Sequence, residues 1–158
     1  MLKFEQTPAL PLDKRAAING LVLDWDAAAR ISHVNFAEAA QPLPTDYSKF
    51  DCRWIAPGQY YVVGNLPAVT EHNVTLTDQS HGTVLLCLCG ENSEQVLSSL
   101  TGAVISSEAF ECRPSVQTRL GHISVNLTRL QNGFSIIVPR SFVLSVWSDV
   151  EDAMRLFG

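Results

Sequence analysis

A chain of 158 residues suits one domain or two small, closely packed halves, and a chain of this size hides roughly 68–70% of its unfolded surface on folding. Its 46% hydrophobic content argues against disorder, and a charged share of 17%, against about 25% in a typical domain, leaves apolar surface of the kind that marks interfaces. The net charge of −5 and the absence of a Lys/Arg cluster speak against nucleic acid, and no apolar run approaches the ~20 residues of a bilayer span.

Met1-Leu2-Lys3-Phe4-Glu5 carries no signal-peptide core, so a cytoplasmic location is expected. Residues 1–40 are expected to form an N-terminal arm or peripheral segment, and 41–158 the domain proper. Within the arm, Ile18 to Val22 suits a short strand, followed by the polar turn Asp24-Trp25-Asp26. Gln41 to Lys49, with Pro42, Pro44, Thr45, Asp46 and Ser48, has the composition of a loop.

Trp54 to Gly64 is predicted to be a hairpin, with Pro57-Gly58 turning between Trp54-Ile55 and the strand-forming run Tyr60-Tyr61-Val62-Val63. Leu66 to Val74, with Pro67, is a polar connector. Thr83 to Cys89 is a second strand region ending at Gly90. After it Glu91-Asn92-Ser93 suits a helix cap and Glu94 the first turn, while Val96, Leu97 and Leu100 recur at helical spacing. Gly102 stands where a C-terminal glycine cap belongs.

Leu120 to Leu130 alternates, with Ile123, Val125 and Leu127 on one face and His122, Ser124, Asn126 and Thr128 on the other, the pattern of a half-buried antiparallel strand. Asn132-Gly133 signals a type I′ hairpin, with Phe134 to Val138 returning as its partner. Pro139-Arg140-Ser141 opens a helix capped by Ser141, with Val143, Trp147, Val150, Met154 and Phe157 along its apolar side. A hairpin followed by a helix predicts an α+β fold of antiparallel sheets with helices packed on one face.

The search for chemistry ends without a site. The chain has no G-x-G-x-x-G, G-x-x-x-x-G-K-[ST], H-E-x-x-H or G-x-S-x-G. Cys52, Cys87, Cys89 and Cys112 have no metal spacing; Cys87 and Cys89 share one strand face, and buried free thiols are expected. His33, His72 and His122 suit structural positions. Asp78, Ser80 and His81 crowd the turn Asp78-Gln79-Ser80-His81, but neighbours along a chain do not align as a catalytic relay, so a structural hydrogen-bonding turn is expected. No catalytic or metal residue is assigned.

Four stretches, in order, resemble the gamma subunit of heterotetrameric sarcosine oxidase. They are Trp54-Ile55-Ala56-Pro57-Gly58-Gln59-Tyr60-Tyr61-Val62-Val63-Gly64, then Thr77-Asp78-Gln79-Ser80-His81-Gly82-Thr83-Val84 running into Cys89-Gly90, then Gln117-Thr118-Arg119-Leu120-Gly121. The last is Phe134-Ser135-Ile136-Ile137-Val138-Pro139-Arg140-Ser141-Phe142 with Trp147 and Leu156-Phe157-Gly158. The N-terminal third matches poorly, and Glu91 stands where the family has a proline. The resemblance implies a fold related to the folate-binding glycine-cleavage T-protein, with two similar β-rich, helix-bearing halves.

The resemblance also implies partners. In such complexes alpha and beta subunits carry FAD, FMN, NAD and tetrahydrofolate, a small delta subunit binds zinc, and sarcosine is oxidatively demethylated to glycine. The gamma subunit has no cofactor of its own. Its expected role here is non-catalytic, and Trp54, Tyr60, Tyr61 and Trp147 are candidate partner contacts because aromatic anchors dominate interface energies. Two alternatives are a small stand-alone folate-binding or aminomethyltransferase-like protein, and a subunit of a related N-methyl amino acid dehydrogenase.

Overall fold

The structure is a computed structural model that describes residues 7–37, 47, 49–66, 73–111 and 115–157. Residues 41–46 and 48 of the loop expected from Gln41 to Lys49, and Pro67, His72, Cys112 and Gly158, lie outside the described residues.

The chain opens with a hairpin of β1 (Ala16–Ile18) and β2 (Leu21–Asp26). Its turn is Asn19-Gly20, with φ of 50° and 83°, the left-handed pair that a type I′ turn requires. The segment expected as one strand, Ile18 to Val22, therefore contains the turn, and Asp24-Trp25-Asp26 is strand rather than turn. Next come β3 (Ile31–Phe36), β4 (Asp51–Ala56), β5 (Gln59–Val63), β6 (Val74–Asp78) and β7 (Thr83–Cys89). Two helices follow, α1 (Ser93–Leu100) and the short α2 (Ser107–Glu111), then β8 (Val116–Leu120), β9 (Ile123–Leu130) and β10 (Gly133–Pro139). A 3-10 turn at Arg140–Phe142 leads into α3 (Val143–Phe157).

The strands form two antiparallel sheets, one of order β1-β2-β7-β10-β9-β8 and one of order β4-β5-β3-β6. The architecture is α+β, as the hairpin-and-helix pattern predicts. Residues 16–36, however, are no peripheral arm. β2 pairs with β7 inside the larger sheet, β3 lies between β5 and β6 in the smaller, and Leu21, Leu23, Ile31 and Val34 are buried. Their alternation is short and interrupted by Asn19-Gly20, which hides two strands from a periodicity argument.

One face of the larger sheet carries α1 and α3 and holds the main core. Val84, Leu86 and Leu88 of β7 and Phe134, Ile136 and Val138 of β10 meet Val96, Leu97, Val143, Val146, Trp147, Val150 and Met154. Each such side chain contributes about 1.5–3 kcal/mol by leaving water. Gly133 is fixed by β10's approach to β7: an added Cβ would stand 2.0 Å from the Leu88 carbonyl oxygen, and its φ is 144°. The hairpin at this point turns through Gln131-Asn132, neither with positive φ, and Gly133 is already paired to Leu130, so the type I′ turn expected at Asn132-Gly133 does not form.

The opposite face of the larger sheet meets the smaller one along a narrow seam. Ile31, Leu85 and Ile137 are its apolar part. Its polar part explains a second departure from expectation. Asn126, on the polar side of β9, is 1% exposed because the smaller sheet covers it, and its Nδ2 donates to the Trp54 carbonyl at 2.8 Å. The strand expected over Leu120 to Leu130 is β9 plus the end of β8, with Gly121-His122 turning between them.

The helix ends also differ from expectation. Asn92 gives α1 no side-chain cap; its Nδ2 reaches instead to the Phe157 carbonyl at 3.1 Å and ties α1 to the end of α3. Thr101 closes α1 in extended conformation, leaving Gly102 outside the cap. Ser141 lies within the 3-10 turn rather than capping α3.

Candidate functional site

The turn Asp78-Gln79-Ser80-His81 links β6 to β7 and is built from hydrogen bonds. Asp78 Oδ1 accepts the Ser80 N–H at 2.9 Å, and this turn, chiefly through the Ser80 side chain, holds the Asp78 carboxyl below its ordinary range. Ser80 Oγ accepts from the Ile31 N–H at 3.1 Å, so the turn clasps the start of β3. Gln79 O then receives Gly82 N and Thr83 N, and Thr83 Oγ1 donates to it at 2.8 Å.

A cleft of about 550 Å³ opens beside this turn. Four chain segments meet there: the stretch from Thr7 to Leu12, the β2–β3 turn from Asp26 to Arg30, the turn at Ser80 and His81, and Arg140 after β10. The Arg140 N–H donates to Gly82 O at 2.9 Å, which brings together two of the stretches singled out in the sequence. Trp25 forms part of the wall, its Nε1 donating to Pro11 O at 3.1 Å. Asp26 is the acidic residue of the lining, and its Oδ1 accepts the Ala28 N–H at 2.9 Å. Arg140 donates through Nη2 to the Thr7 carbonyl. Arg30 donates no side-chain hydrogen bond among the described residues. Nothing in the sequence marks Arg30 or Trp25 as a site residue, since the segment that presents them is read as an arm.

A second polar group sits in the seam. Arg53 is 3% exposed; its Nη2 lies 2.7 Å from Asp51 Oδ2 and 3.0 Å from Ser135 Oγ, while Nη1 has no hydrogen-bond partner among the described residues. Asp51 and Arg53 share a strand face at i and i+2, a spacing legible in the sequence as Asp51-Cys52-Arg53. Cys87 pairs with Ser135 across the sheet, and burial raises its thiol pKa against the lowering effect of Arg53. Burial, aided by Asp51, pushes the Cys52 thiol up to about 11. Cys52, Cys87 and Cys89 are free and half-buried, and among the described residues no three His, Cys, Asp or Glu side chains gather to hold a metal.

The aromatic candidates separate. Trp54 is 37% exposed on β4. Tyr60 packs edge-on against Phe36, and Tyr61, half-buried, tilts against His33. Trp147 is 3% exposed within the main core, its Nε1 donating to Glu151 at 3.1 Å, so it is spent on packing and offers no partner contact. Other apolar side chains, not named as partner contacts, also reach solvent: Phe142 in the 3-10 turn, Leu144 and Leu156 on α3, Leu76 on β6 and Leu12.

Among the described residues no helix is long and apolar enough to cross a membrane. No protein-family model and no curated protein sequence matches the chain. Among solved structures, it is similar to a chain of heterotetrameric sarcosine oxidase from Corynebacterium sp. U-96 in complex with pyrrole 2-carboxylate, with a TM-score of 0.71 and 17% sequence identity. The similarity covers 90% of this chain and 87% of that one, so the α+β arrangement of two antiparallel sheets is that chain's fold nearly end to end.

Proposed function

We propose that this chain is the non-catalytic gamma subunit of a heterotetrameric sarcosine oxidase-like complex. The observation that carries the proposal is the fold match over 90% of this chain and 87% of its neighbour, a protein that is itself a heterotetramer. The ordered sequence stretches from Trp54 to Phe157 agree with it, and two of them, around Ser80 and Arg140, are joined by the Arg140–Gly82 hydrogen bond. In this role the chain supports partner subunits of alpha, beta and delta type. Those partners carry FAD, FMN, NAD and tetrahydrofolate, and the complex demethylates sarcosine, passing the one-carbon unit to folate.

Three features support the role: two hydrogen-bonded sheets, a structural turn at Asp78, Ser80 and His81, and apolar side chains left at the surface. Trp54 is the aromatic contact retained from sequence, because its ring is partly exposed while its backbone carbonyl anchors Asn126 and thereby the larger sheet. An anchor held on a rigid strand loses little entropy on docking.

The test is cofactor content. The chain purified alone is expected to bind neither flavin nor tetrahydrofolate. Stoichiometric flavin retained by the isolated chain overturns the proposal, and tight calorimetric binding of tetrahydrofolate favours a stand-alone folate protein instead.

A further inference from the structure

We infer that the cleft between the β2–β3 turn, the Ser80-His81 turn and Arg140 binds a small organic carboxylate with an apolar body. The inference stands apart from the proposed subunit role, since it rests on the lining alone. At about 550 Å³ the cleft lies within the roughly 300–1,000 Å³ of small-molecule sites. It is no narrow gap in the packing.

The charge pattern selects an anion. The chain carries a net charge of −5, yet two of its 11 Lys/Arg residues, Arg30 and Arg140, line this one cleft. Asp26 opposes them and keeps its charge while its Oδ1 accepts the Ala28 N–H, so two guanidiniums face one carboxylate in the described lining. Arg140 commits Nη2 to the Thr7 carbonyl, which orients its guanidinium. Arg30 donates no side-chain hydrogen bond among the described residues and acts on the solvent-exposed Asp78 by charge alone, so its guanidinium has donors to spare. A guanidinium presents paired N–H groups in the geometry of a carboxylate, and such charge-assisted bonds are roughly twice as strong as neutral ones.

The rest of the wall selects the body of the ligand. Trp25, Leu12 and the alanines of the β2–β3 turn supply an apolar patch within a wall whose exposed surface is otherwise mainly polar, whereas a site built for inorganic phosphate would carry donors in place of that patch. Ser80 Oγ serves Ile31 in the turn, so the hydroxyl shapes the floor rather than reading the ligand.

Calorimetric titration of the purified full chain with benzoate, its uncharged counterpart benzamide, and inorganic phosphate tests the inference. Benzoate is expected to bind with one-to-one stoichiometry, and benzamide about tenfold or more weaker, as loss of a charged hydrogen bond requires. Arg30→Gln is expected to weaken benzoate by a similar factor while leaving the melting temperature unchanged. Should Arg30→Gln fail to fold, Arg30→Lys, which keeps the charge and loses the fork, is expected to weaken benzoate by a smaller factor. The inference is overturned if benzoate gives no heat at millimolar concentration, if benzamide binds equally well, if the Arg30 variant that folds binds as the parent does, or if phosphate matches benzoate.

Discussion

Removing the Asp51 carboxylate is expected to destabilise the fold more than removing the arginine it serves. Arg53 is 3% exposed and Asp51 44% exposed, so the pair is lopsided: a buried cation held by a carboxylate that still touches water. In Asp51→Ala the guanidinium keeps the Ser135 hydroxyl but loses its counter-charge, and its Nη1 is already unpartnered. Breaking a fully buried pair costs about 3–5 kcal/mol; water access at Asp51 brings the expected cost down to about 2–3 kcal/mol. In a domain of this length that is a fall in melting temperature of roughly 4–12 °C. Arg53→Met removes the buried charge and keeps much of the volume, leaving an aspartate that can hydrate, so about 1 kcal/mol or less is expected. Urea unfolding of both single variants and the double variant is the assay, and the double variant should resemble Arg53→Met. If Asp51→Ala costs no more than the about 0.5 kcal/mol of an ordinary surface change, or Arg53→Met costs more than Asp51→Ala, the reasoning fails.

Other expectations follow from single contacts. Gly133→Ala drives a methyl into the Leu88 carbonyl at 2.0 Å on a left-handed residue, so a loss above about 4 kcal/mol, or no soluble protein, is expected in expression and melting assays. Trp147→Ala should cost about 3–5 kcal/mol by emptying the core between α3 and the larger sheet. Trp54→Ala should stay within about 0.5 kcal/mol of the parent and lower recovery of partner subunits in a pull-down; equal melting losses for the two variants would contradict the assignment of core and surface. The Cys52 thiol, raised from 9.0 to about 11, ionises later in the folded chain than in the unfolded one. That preference stabilises the fold fully below pH 9 and is lost as pH rises toward 11, so Cys52→Ser should flatten the stability profile in that window; an unchanged profile would refute the shift.

The C-terminal half was legible because its elements obey one local rule each. Thr83 to Cys89 is a continuous apolar run between turn residues, Ser93–Leu100 has helical spacing, and α3 repeats apolar residues over its full length. The N-terminal strands were not, although Asn19-Gly20 is the same dipeptide as Asn132-Gly133. β1 has three residues and β2 interleaves aspartates, so the turn had no clear alternation on either side to announce it. Asn126 misled for a different reason. Polarity signals water only when nothing covers the face, and here a second sheet covers it through hydrogen bonds between residues 72 positions apart or more. The cleft was half legible: the turn at Ser80 and His81 stood out, whereas Arg30 becomes meaningful only once topology brings the β2–β3 turn beside it.

The subunit assignment meets its most direct test in purification of the tagged chain from its native host, recording the masses and absorbance spectrum of whatever accompanies it. The account predicts a yellow complex containing larger partners that turns over sarcosine. A colourless chain recovered alone would contradict it, and a yellow complex inert to sarcosine would move the assignment to a related N-methyl amino acid dehydrogenase.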